Sequence, residues 1–120
     1  FYFGDLMATA CDISGTDLPP KTDSLSFLPT LKGKAEGQKR HKFLYWEFYE
    51  RTFRQAVVME DWKLIRSGMD NQRLELYDLK NDIHEYVNLI KEQPAVAQRM
   101  LSYMKSAHVP HPNWPTPKRQ

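Results

Sequence analysis

From Phe43 to Leu79 the chain stops spacing its apolar residues for helices and begins to alternate them. In FLYWEFY, residues 43–49, Leu44, Trp46 and Phe48 fall on one side, and Phe43, Tyr45, Glu47 and Tyr49 on the other. Successive side chains of a strand point to opposite faces, so this spacing predicts a strand. Three further strand patterns follow closely: RQAVVME (54–60), WKLIRS (62–67) and RLELYDL (73–79). Glu60-Asp61 joins the second to the third, and SGMDNQ, 67–72, joins the third to the fourth. Connections this short cannot cross over to a parallel neighbour, so an antiparallel meander is predicted. Both faces of the first strand are apolar. A single covering helix leaves one face in need of another partner surface.

That helix is PAVAQRMLSYMKSA, 94–107, with Pro94 in its first turn. Val96, Met100, Tyr103 and Ala107, with Ala97, Leu101 and Met104, form its broad apolar stripe. Trp62 and Leu64 share a strand face and are expected to meet Met100, Leu101 or Met104, so that Trp62→Ala costs about 3–5 kcal/mol. Ahead of the sheet, DLMATACDIS (5–14) reads as a short helix, with Asp5 as N-cap and Gly15 as the left-handed residue past its end. Pro19-Pro20 makes 16–24 a loop. SFLPTLKG, 26–33, reads as a second short helix with Ser26 as cap and Gly33 as stop, and 34–42 as a basic loop. The segment 80–90 leaves the sheet, and the proline-rich tail from His108 is expected to be extended.

The predicted fold is therefore α+β: a four-stranded antiparallel sheet packed against a C-terminal helix, preceded by two short helices. It divides into residues 1–42, short helices and loops; 43–107, the sheet and its helix; and 108–120, the tail.

A chain of 120 residues fits one domain with a real core. A net charge of +2 gives no field pointing to nucleic acid or a membrane surface. No run of about 18 apolar residues occurs, so no membrane span is expected, and FYFGDLMATA lacks the features of a signal peptide. The single cysteine, Cys11, cannot form an internal disulfide and reads as a small buried hydrophobe.

Candidate chemistry is sparse. Glu47 and Glu50 lie on opposite parities of one strand and do not converge as an acid/base pair. His108 and His111 have a zinc-like spacing but no further ligands at matching positions. Asp78 and Asp82 flank Lys80-Asn81 without the alternating oxygen ligands and glycine of a calcium loop. The basic loop of Lys32, Lys34, Lys39, Arg40 and Lys42 precedes aromatic strands, a juxtaposition that single-stranded nucleic-acid binders use. The glycine-rich aromatic signature of the common RNA-binding sheet is missing, and no Gly-rich phosphate loop or nucleophile elbow occurs. No catalytic, cofactor-binding or metal-binding residue is assigned.

Three ordered segments resemble the C-terminal portion of the sulfatase family. DLMATACDISGTDLPPKTDSLSFLPTLKG, Asp5 to Gly33, is similar to the family's Asp-Leu-x-Pro-Thr helix followed by a Ser-Leu-x-Pro-x-Leu-x-Gly turn. Leu44 to Ile65 resembles its strand pair, whose second member reads Ala-Val-Arg-x-Gly-x-Trp-Lys. LELYDLKNDIHEYVNLI, Leu74 to Ile90, is similar to Glu-Leu-Tyr-Asp-Leu-x-x-Asp-Pro-x-Glu-x-x-Asn-Leu. Ala8, Ser24, Val58, Glu60 and Ile83 depart from the family's usual Pro, Gly, Arg, Gly and Pro.

The resemblance implies a sulfuric ester hydrolase as parent, with a formylglycine nucleophile and calcium. The formylglycine arises within Cys/Ser-x-Pro-x-Arg, and Cys11 is followed by Asp12-Ile13-Ser14-Gly15, so the motif is not here. The family's metal ligands and catalytic Lys and His precede this region. The implied fragment is inactive alone, packs against a missing N-terminal catalytic domain and shapes the substrate cleft, to which Glu47 is a candidate contributor. The implied substrate is a sulfated carbohydrate or aryl sulfate, and the implied location of the parent is periplasmic, extracellular or lysosomal. Phe1, Tyr2, Phe3, Leu6, Met7, Phe27 and Leu28 then lack their natural partner, which predicts self-association or folding back onto Phe43, Tyr45 and Tyr49. The alternative reading is a self-standing module that grips a sulfated carbohydrate or nucleic acid with its aromatic sheet.

Overall fold

The computed structural model describes residues 2–50, 52–68 and 73–115. Phe1, Met69–Gln72 of the expected turn and residues 116–120 of the tail lie outside the described residues. The chain divides into two compact units, Phe1–His41 and Lys42–Gln120.

In the first unit, helix α1 spans Asp5–Ser14 and helix α2 spans Leu28–Leu31, with a 3-10 turn at Ala35–Gly37. Gly15 ends α1 with φ 71°, the left-handed conformation that glycine reaches without a Cβ penalty. The N-cap of α1 is Gly4, not Asp5. The Asp5 carboxylate is used elsewhere: it accepts from Leu25 N at 2.9 Å and pairs with His41 Nε2 at 2.7 Å. Thr9 Oγ1 donates to the Asp5 carbonyl at 2.8 Å and accepts from Phe27 N at 3.0 Å. Ala8 N donates to Ser24 Oγ at 2.9 Å. Side chains of α1 and of Ser24 thus satisfy backbone groups that have no ladder of their own. Helix α2 begins at Leu28, and its N-cap is Phe27, not Ser26. Ser26 Oγ accepts from Leu28 N at 3.2 Å, and Pro29 sits in the first turn, where its missing N–H costs nothing. The loop expected over 34–42 contains the 3-10 turn. Cys11 is half-buried, not buried.

The second unit is the sheet and its helix. Strands β1 (Leu44–Phe48), β2 (Arg54–Met59), β3 (Trp62–Ser67) and β4 (Leu74–Asp78) pair antiparallel in sequence order. The register places Tyr45 opposite Val57, Val57 opposite Leu64, and Leu64 opposite Leu76. Helix α3, Pro94–Ala107, covers this face. Val57, Leu64, Leu76, Met100 and Met104 are fully buried between the two layers. The period-two and 3.6-residue stripes therefore meet, as an α+β layer requires. Trp62 packs on this core but is only half-buried, so its truncation removes less than a fully buried ring would.

β4 is an outer strand of the sheet, and Asn88 shields its free edge. Asn88 Oδ1 accepts from Leu76 N and from Ile90 N, each at 3.0 Å, while Leu89 N donates to the Leu76 carbonyl at 2.8 Å. An unpaired strand edge is thereby closed by a loop. On the opposite face of the sheet, Trp46 is 39% and Phe48 58% exposed, so the first strand does carry apolar surface that α3 leaves uncovered. The tail is not wholly extended. His111 and Trp114 bridge around a tight turn, with Trp114 N donating to the His111 carbonyl at 3.0 Å, and the Trp114 indole lies 5.6 Å from the Tyr49 ring.

Candidate functional site

One row of the α3-facing sheet surface is polar. Strand pairing sets Glu47 opposite Gln55 and Gln55 opposite Arg66. Tyr45 and Glu47, two residues apart, share this face, and Tyr49 continues it past the strand end. The row lies next to the fully buried Val57–Leu64 layer, so its polar atoms must find partners.

They do. Glu47 Oε1 accepts from the Tyr45 hydroxyl and from Gln55 Nε2, the latter at 3.0 Å. Glu47 Oε2 accepts from the Tyr49 hydroxyl at 2.8 Å. His108 Nδ1, just beyond α3, also meets Glu47 Oε1. Gln55, itself buried, passes the network on: its Nε2 reaches the Tyr45 oxygen at 2.6 Å, and its Oε1 accepts from Arg66 Nε at 2.8 Å and from Arg66 Nη2.

Burial alone would push the Glu47 carboxyl up. The hydrogen bonds from Tyr45, His108, Tyr49 and Gln55 outweigh it and hold the group down at about 2. Burial, and then the hydrogen bond to Glu47, push the Tyr45 phenol above its usual range. Glu47 is therefore an anion at neutral pH with both oxygens engaged. It cannot act as a general acid, and it is a poor base because its lone pairs are committed. What it can do is hold fixed the side chains of three elements: the hydroxyls of β1, the amide of β2 and the imidazole after α3.

The structure separates the paired residues singled out in the sequence. Glu50 is exposed in the bend after β1, away from this network. His108 turns to Glu47, while His111 Nδ1 accepts from Asn113 N at 3.2 Å within its own turn. Asp78 accepts from Lys80 N at 3.0 Å and Asn81 Nδ2 at 2.7 Å, and Asp82 from Val87 N at 2.8 Å. Both aspartates shape the turn after β4. Among the described residues no three of His, Cys, Asp and Glu converge as metal ligands. Among the described residues, neither the sequence after Cys11 nor any carboxylate cluster fits a formylglycine or a calcium ion. Gln55 and Arg66 were not candidates from sequence. Their only signal was the strand register, which would set Gln55 opposite Glu47.

The family model described as N-sulphoglucosamine sulphohydrolase, C-terminal, matches residues 4–109. The chain belongs to this family. The match takes in all four strands and α1 through α3. A curated relative, the Delta 4,5-hexuronate-2-O-sulfatase of Bacteroides thetaiotaomicron, is 28% identical over 95 residues, 73% of this chain and 19% of its own length. Solved structures share the fold. BT4656, in complex with its substrate D-glucosamine-2-N,6-O-disulfate, superposes with a TM-score of 0.69 at 24% identity, over 85% of this chain and 22% of that one. BT33336S-sulf of Bacteroides thetaiotaomicron, from work on the metabolism of multiple glycosaminoglycans, gives 0.66 at 23% identity, over 85% and 24%. The chain thus spans about a fifth of the length of the curated relative it matches. The resemblance read in the sequence, to the C-terminal portion of a sulfatase, is that of this sulphohydrolase family.

Proposed function

We propose that the parent of this chain hydrolyses sulfate esters or sulfamates of a carbohydrate, and that the chain is its non-catalytic C-terminal wall. The observation that carries the reading is the family match over residues 4–109, from the first turn of α1 to the end of α3. The named relatives support the substrate class: one is a hexuronate sulfatase, and another was solved with a disulfated glucosamine. The nucleophile and the calcium ion belong to the preceding part of the parent. When bound, the ion supplies electrostatic stabilisation of the sulfate oxygens. The parent works outside the cytoplasm, in a periplasm, a lysosome or the extracellular space.

Within this chain the Glu47 network supports a cleft-shaping role. Its carboxylate holds Tyr49 and His108 in place at the polar edge of an otherwise apolar face and so fixes the shape of that edge. The reading of the chain as a self-standing sugar or nucleic-acid module has less support. Among the described residues of the first unit, Ala8 is the one buried apolar side chain, too little to hold a free module together.

The test is sulfate release by the full-length protein on a panel of N-, 2-O- and 6-O-sulfated sugars. Release from at least one sulfated sugar is expected. Release from none, by a folded protein supplied with calcium and carrying the formylglycine, contradicts the reading.

A further inference from the structure

Two cations of the second unit converge on one ring. The Lys42 ammonium stands 5.1 Å and the Arg99 guanidinium carbon 6.0 Å from the centre of Tyr103. Arg99 and Tyr103 lie one turn apart on the same face of α3, and Lys42 comes from just ahead of β1. The Phe43 ring stacks on Tyr103 at 4.6 Å and 20°, which covers one face of the phenol and fixes its place. Lys42 and Arg99 are exposed, and neither forms an ion pair with a carboxylate among the described residues. Glu60, in the β2–β3 connection, acts on Arg99 only from beyond ion-pair distance. An aromatic ring attracts a cation, but two cations that share one ring also repel each other. A hydrogen bond from Arg99 and the charge of Lys42 draw the Tyr103 phenol below its usual range, so the hydroxyl sits in a positive field. An anion that meets both cations relieves their repulsion and can accept from the hydroxyl as well.

We propose that Lys42, Arg99 and the Tyr103 hydroxyl form a binding site for a sulfate ester group of a sulfated oligosaccharide. The proposal rests on the reading that the parent acts on sulfated carbohydrate, and it names where this chain grips such a sugar. A sulfate ester stays charged at neutral pH and carries several acceptor oxygens. The flat fork of Arg99 can donate to two of them, Lys42 supplies a point charge, and the hydroxyl donates once more. The net charge of the chain is only +2, so the attraction is local to the cluster and not a property of the whole surface. A nucleic-acid phosphate would meet the same charges, but its bases need an open ring to stack on. Phe43 occupies one face of Tyr103, and the cations stand around the rest.

Calorimetric titration of the full-length protein with a heparin hexasaccharide tests this. The double variant Lys42→Gln, Arg99→Gln is expected to bind about tenfold more weakly, the order that two exposed charge contacts give. Both side chains are exposed, so the core is left intact. The double variant Arg54→Gln, Arg73→Gln removes the same charge from exposed positions at the other end of the strands. It should change the affinity by less than about twofold, because distant charges are screened. No loss at Lys42 and Arg99, or an equal loss in both double variants, overturns the proposal. So does a desulfated hexasaccharide or inorganic sulfate that binds as tightly as the sulfated sugar, or an oligothymidylate that binds more tightly. The readout is independent of sulfate release. A full-length protein that binds through Lys42 and Arg99 but releases no sulfate counts against the enzymatic reading alone. One that releases sulfate yet binds equally well without the two cations counts against this site alone.

Discussion

Glu47, in the middle of β1, meets the imidazole Nδ1 of His108, 61 residues further along the chain and one residue past the end of α3. The contact fastens the end of the covering helix to the first strand, at the point where the apolar layer of Val57, Leu64 and Leu76 gives way to the polar row of Gln55 and Arg66.

The carboxylate makes that fastening sensitive to acid. Glu47 sits at about 2 in the folded chain against an ordinary value of 4.5. A lowered folded value contributes stability above about 4.5 and loses it progressively as the pH falls towards about 2. Denaturant melts of the wild type at pH 6, 4 and 2.5 should show stability falling across this window. Glu47→Gln keeps the shape but cannot ionise, so its curve should fall less steeply. Parallel curves for the two proteins would show that Glu47 does not carry the effect.

The second prediction ranks two core residues. Leu64 is fully buried in the sheet–helix layer, whereas Trp62 is half-buried at its margin. Leu64→Ala should cost about 2–5 kcal/mol, the range for a leucine truncated in a core that cannot collapse. Trp62→Ala should stay below the roughly 3–5 kcal/mol of a fully enclosed ring. Urea titration of both variants measures the difference, and a larger loss at Trp62 contradicts the ranking.

Glu60 opens the two-residue connection between β2 and β3 and holds a φ of 54°. An L side chain in the left-handed region carries a penalty of about 1–2 kcal/mol that glycine avoids, and glycine is the preferred first residue of such hairpins. Glu60→Gly should therefore raise stability by about 0.5–1 kcal/mol, after the greater freedom of glycine in the unfolded chain is subtracted. Thermal melts decide it. A lower Tm for the variant would mean that Glu60 makes a compensating contact.

The sheet and α3 were legible because the apolar residues of each recur with the period of their own element. Leu44, Trp46 and Phe48 alternate, Met100 and Met104 stand four apart, and the structure returns both segments within a residue of their expected bounds. The resemblance in 74–90 gains a physical reason: its Asn88 closes the backbone of β4. The Glu47 network was not legible. It needs the register that sets Gln55 across from Glu47, and it needs the end of α3 to return His108 to the first strand. Neither relation is written in local spacing, and the pair of His108 with His111 drew attention to the wrong partner. Asp5 misled for a similar reason. A residue suited to capping its own helix was taken instead by Leu25 N and His41, contacts 20 and 36 residues away.

The central claim is that this chain is the non-catalytic C-terminal subdomain of a sulfatase, and one paired assay tests it. The 120-residue chain and the full-length protein are incubated with a chromogenic aryl sulfate and calcium, each beside a heat-killed control. The account predicts hydrolysis by the full-length protein and none above the control by the 120-residue chain. Turnover by the 120-residue chain alone would contradict it.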